Sequence, residues 1–121
     1  MIDPAFDAAL DRYIAALDDR DLVTLGAAII DNIAFVESNG ARLMGREAFL
    51  SLHRKMFADG DQRPQRVRRD SRSVAQTGWA LIEYGSPQHG WAFLGLTFAL
   101  VDGRWLVVAG QNTPLPPIEE D

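Results

Sequence analysis

Apolar residues recur at helical spacing from the start of the chain. Phe6, Leu10, Tyr13, Ile14 and Leu17 fall near a 3.6-residue period, which predicts an amphipathic helix with these side chains on one face. Asp3 followed by Pro4 marks its start, because an aspartate can cap free backbone N–H groups and proline already has a helical φ. After the polar turn Asp18-Asp19-Arg20, the residues Leu22, Leu25 and Ile29 predict a short second helix beginning at Asp21 and ending at Asp31 and Asn32. Ile33 to Ser38 then reads as a strand. The pair Asn39-Gly40 before Ala41, Arg42 and Leu43 is a strong hairpin signal. Gly45 opens a third helix with the stripe Phe49, Leu52, His53, Met56 and Phe57, and Gly60 lies just past its end.

The second half of the chain changes period. Asp59 to Arg66 is loop-like, followed by an extended arginine-rich segment from about Arg66 to Gln76 and a turn at Thr77-Gly78. Trp79 to Tyr84 alternates as a strand, Gly85-Ser86-Pro87-Gln88 turns the chain, and Trp91 to Val101 is the longest strand. Asp102-Gly103 is a second two-residue hairpin signal, with the return strand running through Arg104 to Gln111. Three helices preceding a run of strands predict an α+β fold, the helices packed on one face of an antiparallel sheet. Residues 1–113 read as a single domain and 114–121 as a proline-rich acidic tail.

A two-residue loop at Asp102-Gly103 would place Val101 opposite Arg104, Thr97 opposite Val108 and Gly95 opposite Gly110. Thr97 and Trp91 would then share the cavity face. The other face would carry Leu94, Leu96, Phe98, Leu100, Trp105 and Val107, which is too apolar to leave in water and predicts a homodimer through that outer face.

Composition narrows the function. No cysteine is present among the 121 residues, so disulfides, thiolate metal sites and cysteine nucleophiles are excluded. Hydrophobic residues make up 47%, yet no apolar run approaches the ~20 residues of a membrane span. The first residues carry no basic, then apolar, leader pattern, so a cytoplasmic protein is expected. A net charge of −5 argues against nucleic acid or an anionic membrane as partner. Arg63, Arg66, Arg68, Arg69 and Arg72 form a basic cluster, interrupted by Asp70 and poor in aromatics, which reads as a solvated strand guarded against edge pairing. His53 and His89 are the only histidines, and no acidic or histidine spacing suggests a metal site. No glycine-rich phosphate loop or nucleophile elbow is visible, and no cofactor is expected.

Four segments carry a family resemblance: RYIAALDDRDL from Arg12 to Leu22, AFVESNG from Ala34 to Gly40, GREAF from Gly45 to Phe49 and DGRWLVVAGQNTP from Asp102 to Pro114. Together they resemble the nuclear transport factor 2-like (NTF2-like) superfamily, in particular its SnoaL-like small proteins, and more distantly ketosteroid isomerase. The resemblance implies a curved antiparallel sheet wrapped around three helices, a cone whose open end is a ligand cavity, commonly paired into dimers. Ketosteroid isomerases set a helix-one tyrosine, a carboxylate base after the first strand and a protonated aspartic acid on a long strand around one carbonyl, two carboxyl groups with separated pKa values. Tyr13 matches the tyrosine. The base position falls on Ser38 and the strand aspartate on Thr97, and neither hydroxyl replaces a carboxyl group in that chemistry.

Within such a cone the candidate cavity residues are Tyr13, Ser38, His53, Phe57, Trp91, Thr97 and Asn112, around a small apolar or weakly polar organic ligand. Tyr13 is either a pocket donor or a core tyrosine bonded to a backbone carbonyl. His53 is either an acid or base near neutrality or a satisfied core histidine. Gln111, Asn112 and Thr113 either meet a ligand at the mouth or close the strand end. Glu37 and Glu83 read as surface carboxylates. If the protein is an enzyme, these groups suit cofactor-independent isomerisation, cyclisation or hydration near a carbonyl, with His53 as acid or base and Tyr13 as oxyanion donor. The alternative is a non-catalytic dimeric binding or association module.

Overall fold

The computed structural model describes residues 3–59, 65–87 and 90–115. Helix α1 spans Pro4–Asp18 and starts as its sequence predicts: Asp3 Oδ1 accepts from the backbone N–H groups of Ala5 and Phe6, at 2.9 and 3.4 Å. Phe6, Leu10, Tyr13 and Leu17 are buried and Ile14 is half-buried, so the apolar stripe is the packed face. Helix α2 is only Leu22–Ala27, capped by Asp21, whose side chain accepts from the Thr24 N–H at 3.1 Å and from its hydroxyl at 2.6 Å.

Strand β1 runs Ile29–Val36, four residues earlier than the sequence pattern suggests. Ile29 fits helical spacing, but its pairing with Val107 and the bond from Val107 N–H to the Ala28 carbonyl draw this stretch into the sheet. The junction is tied down by Arg46. Its guanidinium donates to the Gly26 carbonyl, to the Ile29 carbonyl at 2.8 Å and to Asp31 Oδ1 at 2.8 Å. Asn39-Gly40 turns the chain into β2, Arg42–Met44, with Glu37 N–H bonded to the Ala41 carbonyl at 2.8 Å. Helix α3 spans Arg46–Asp59.

Strands β3 (Gln65–Val74), β4 (Thr77–Ser86), β5 (Gly90–Val101) and β6 (Arg104–Pro114) complete a six-stranded sheet of order β2-β1-β6-β5-β4-β3. All neighbours are antiparallel except β1 and β6, which run parallel. The turn expected at Thr77-Gly78 lies instead at Ala75-Gln76, with Ala75 at φ 54°. Gly78 belongs to β4 because the Phe6 ring is seated on it: a Cβ there would come within 2.4 Å of the ring. Asp102 and Gly103 have φ of 50° and 77°, as a tight two-residue hairpin of this type requires. Pro114 continues β6, and Leu115 N–H bonds the Trp91 carbonyl at 2.9 Å, so the strand outruns the expected end at Gln111. The rest of the expected tail, 116–121, lies outside the described residues, as do Arg63 and His89.

Near the hairpin the β5–β6 register agrees with the two-residue loop, Val101 facing Arg104 and Ala99 facing Leu106. The agreement holds as far as Phe98 facing Val107; beyond that pair β6 carries one extra residue, so Thr97 faces Ala109 and Gly95 faces Gln111. Further irregularities interrupt β1–β6 between Ile29 and Ala34 and β3–β4 between Arg68 and Asp70. Such bulges bend and twist strands.

The faces are the reverse of the sequence expectation. Leu94, Leu96, Phe98, Trp105 and Val107 are buried with Phe6, Leu10 and Tyr13 on the helix side, and the Phe6 ring meets Phe98 and Trp105 edge-on at 5.3 and 5.2 Å. That strongly apolar face is the one the helices cover, because it offers the larger burial. Thr97 and Trp91 alternate onto the outer face. Trp79 and Leu81 join them there, 39% and 38% exposed.

Candidate functional site

A small cavity of about 40 Å³, open at its mouth, lies between the helices and the inner face of the sheet. Helix α1 contributes Tyr13 and Leu17, and α3 contributes His53 and Met56. The sheet closes it with Phe35 from β1, Arg66 from β3, Tyr84 from β4, Leu94 from β5 and Asn112 from β6. Phe35 is held in place by Gly110 on the neighbouring strand, where an added Cβ would stand 2.7 Å from the ring.

Tyr13 is fully buried, and among the described residues its hydroxyl has no hydrogen-bond partner. This is the unusual group of the site. A buried hydroxyl left unpaired costs about 1–3 kcal/mol, and native proteins seldom leave one so. The phenol stays protonated under ordinary conditions, because burial pushes its pKa above the usual tyrosine value against the opposing pull of the Arg66 charge. Tyr13 is therefore a donor. Its ring stands edge-on to Phe98 at 6.3 Å.

His53 is 5% exposed and packed among aromatic rings: Phe49 at 4.1 Å, Phe57 at 6.0 Å and Phe35 at 6.2 Å. Its Nδ1 lies 2.8 Å from the Phe49 carbonyl one helical turn back. A carbonyl can only accept, so Nδ1 carries the hydrogen and, in the neutral ring, Nε2 carries the lone pair. Burial lowers the pKa below the usual histidine value, more than the Phe49 carbonyl raises it, so the neutral form prevails at pH 7. The ring is thus a base rather than an acid at neutrality.

Opposite the helices, the Tyr84 hydroxyl donates to Asn112 Oδ1 at 2.9 Å, which leaves the Asn112 amide hydrogens as donors. Arg66 sits directly across from Tyr84 on the paired strand, and its guanidinium bonds Asp18 at the end of α1. The Arg66 side chain is 14% exposed and that of Asp18 45%, so the pair joins cavity wall to solvent. Burial lowers the Arg66 pKa, but an arginine in such a place remains a cation. Tyr84 is raised first by burial, then lowered by Arg66 and raised by Glu37.

Of the residues expected in the cavity, Tyr13, His53 and Asn112 are brought together. Phe57 is half-buried behind His53 but does not reach the cavity. Ser38 lies past the end of β1, exposed; its neighbour Glu37 has the parity of Ile33 and Phe35 and is half-buried, so the expectation that Glu37 faces solvent does not hold. Trp91 and Thr97 are on the outer face because β5 alternates with Leu94 and Leu96 inward. Glu83 also faces outward, paired with Phe93, on an interior strand rather than an edge. The lining residues that pattern reading missed are Leu17, Phe35, Met56, Arg66, Tyr84 and Leu94. Tyr84 shares parity with Ala80 and Ile82, which could have signalled it. Arg66 could not be found so, because the irregularity between Arg68 and Asp70 breaks the alternation of β3.

Among the described residues no three histidine or acidic side chains gather as a metal site, and no helix is long and apolar enough to cross a membrane. The residues that meet at the cavity can donate hydrogen bonds, hold a proton acceptor at His53 Nε2 and pack an apolar body.

Comparison with known proteins agrees with this architecture. A search of curated proteins returns no match. Among solved structures, a protein from Thiobacillus denitrificans, provisionally named as a calcium/calmodulin-dependent protein kinase type II association domain, superposes with a TM-score of 0.80. It is 22% identical, over 96% of this chain and 99% of that one. An NTF2-like protein of unknown function from Pseudomonas putida gives a TM-score of 0.78 at 16% identity, covering 93% of this chain and 86% of that chain. A protein from Streptomyces avermitilis, provisionally named a dehydratase of the NTF2-like family, also gives 0.78, at 14% identity over 93% of this chain and 95% of that chain. At these identities the likeness concerns the fold. The SnoaL-like domain model matches residues 7–112, nearly the whole chain, and with the helices, the curved sheet and the cavity in place the protein belongs to the SnoaL-like family of the NTF2-like superfamily.

Proposed function

We propose that this protein binds a small organic molecule in the cavity beneath α1 and α3 and catalyses a cofactor-independent proton transfer next to a carbonyl group, an isomerisation, cyclisation or dehydration. The observation that carries the reading is the pairing of opposite capacities in one apolar cavity. His53 has its Nδ1 committed to the Phe49 carbonyl, which leaves Nε2 as the base, and Tyr13 offers a buried hydroxyl with no partner among the described residues. Bound between them, a carbonyl compound loses its α-proton to Nε2 while Tyr13 stabilises the oxygen that gains negative charge. Asn112 supports the same oxygen or a second polar group through its amide hydrogens. The dehydratase name of the Streptomyces avermitilis neighbour lies in the same class of chemistry. The carboxylate pair of a steroid isomerase is not required for it.

The test is solvent-deuterium incorporation at the α-carbon of a panel of small ketones and β-keto esters, followed by NMR. Replacing His53 by Ala slows exchange of an accepted compound by about 10²-fold or more. A loss of only twofold sinks the assignment of His53 as base. A second reading, a dimeric binding module without turnover, is supported by the outer sheet face. Trp79, Leu81, Val36, Val67 and Val101 are each 37–40% exposed there, an apolar surface suited to a second copy of the chain. We place the homodimer on that face. Light scattering gives a dimer for the native chain at micromolar concentration and a monomer for Trp79→Glu combined with Leu81→Lys; a native monomer contradicts it.

A further inference from the structure

The polar atoms of the cavity are unequal in kind. Tyr13 presents an O–H with no partner among the described residues, and Asn112, whose Oδ1 is occupied by Tyr84, presents two N–H groups. Arg66 presents a guanidinium with five N–H donors, of which the bond to Asp18 uses one nitrogen. Against these donors stand fewer side-chain acceptors on the wall: His53 Nε2, the Tyr13 and Tyr84 phenol oxygens, and the second lone pair of Asn112 Oδ1. A neutral carbonyl compound has too few acceptor positions to answer them all. A carboxylate has about four, and its charge answers the one cation on the wall.

Resting on the small-molecule reading above, we propose that the ligand is a small organic acid, with its carboxylate held by Arg66 and the Asn112 amide and its apolar body between Phe35 and Leu94. Arg66 fits this role geometrically. It reaches the cavity from β3 directly opposite Tyr84, its side chain is mostly buried, and it is held from the solvent side by Asp18 at the end of α1. Asp18 does not line the cavity and is half-exposed, so it tethers the guanidinium without filling the site. Glu37, whose charge reaches Tyr84, also stands outside the lining and opposes an anion from the rim. Affinity for the acid therefore depends on the balance between Arg66 and its own acidic tether.

The experiment compares matched pairs, cyclohexanecarboxylate with its amide and benzoate with benzamide, by calorimetry and by NMR shifts of the cavity residues. It uses the native chain, Arg66→Gln, Arg66→Lys and Asp18→Asn. The native protein prefers each carboxylate over its amide by about tenfold. Arg66→Gln removes that preference, Arg66→Lys restores part of it, and Asp18→Asn, which unties the guanidinium, tightens the carboxylate several-fold more than the amide. Native near-ultraviolet circular dichroism of each variant shows that the fold is kept. Equal binding of acid and amide by the native protein, or a carboxylate preference that survives Arg66→Gln, overturns the acid assignment and leaves the small-molecule cavity standing. If none of the four compounds moves the resonances of Tyr13, His53 or Asn112, the acid proposal fails; if the wider panel of ketones and keto esters is equally silent, the cavity reading fails with it.

Discussion

Replacing Tyr13 by Phe separates a pocket donor from an ordinary core tyrosine, because the two roles give stability changes of opposite sign. The ring is fully buried and its hydroxyl has no partner among the described residues. Removing an unpaired buried hydroxyl returns the desolvation cost of that group, about 1–2 kcal/mol, less a small loss of contact where one oxygen is missing. For 121 residues the unfolding entropy is about 0.25 kcal/mol/K, so the expected rise in Tm is about 4–8 °C. The assay is thermal and urea unfolding of both proteins without ligand, at pH 7 and in the same buffer. Ligand affinity should fall in the same variant. A protein that becomes more stable and binds less well has given up stability for a functional group. Destabilisation by 1 kcal/mol or more would refute the reasoning, since the hydroxyl would then be satisfying a structural bond.

Three further outcomes are expected. His53 is held neutral below its ordinary pKa of 6.5 by burial, so the unfolded chain binds the extra proton first: its contribution to stability is complete above pH 6.5 and is lost as pH falls toward the lower folded value. Urea unfolding between pH 7.5 and 5.5 should show that loss at up to about 1.4 kcal/mol per pH unit, and a His53→Gln variant should lack it. Gly110→Ala places a Cβ 2.7 Å from the Phe35 ring and 3.2 Å from the Gly95 carbonyl, and should cost about 1–3 kcal/mol in urea unfolding while weakening ligand binding; unchanged stability would contradict the close approach. Arg46→Ala removes charge-assisted bonds to two carbonyls and to Asp31 at the α2–β1 junction, and should cost about 2–3 kcal/mol by the same measurement.

Much of the fold is written locally. Asp3-Pro4, the stripe of α1 and the Asp102-Gly103 turn each state their structure within a few residues, and each adopts it. What failed was non-local. Ile29 has helical spacing but is claimed by Val107, nearly eighty residues away. The sheet faces were inverted because parity along β5 distinguishes two faces without saying which the helices cover, and both are apolar. Thr97, Trp91 and Ser38 left the cavity together for related reasons. An exposed turn took Ser38, and the face choice took the other two.

The cavity residues divide in the same way. Tyr13 and His53 stand on amphipathic helices whose stripe points inward, so period alone locates them. Asn112 comes with the end of the last strand. Arg66 lies in a run of arginines that reads as solvent-facing, and only its pairing with Tyr84 across a bulged ladder brings it inward. Its inclusion changes the chemistry of the site from weakly polar to donor-rich.

The most direct test of the cavity as a ligand site is a nitrogen-correlated NMR map of the native chain titrated with a mixed panel of small carboxylic acids, ketones and keto esters. At least one compound should bind with shift changes centred on Tyr13, Phe35, His53, Leu94 and Asn112, and with a changed titration of the His53 ring. Shifts confined to the outer face around Trp79 and Leu81, or no response from the cavity across the panel, would contradict it.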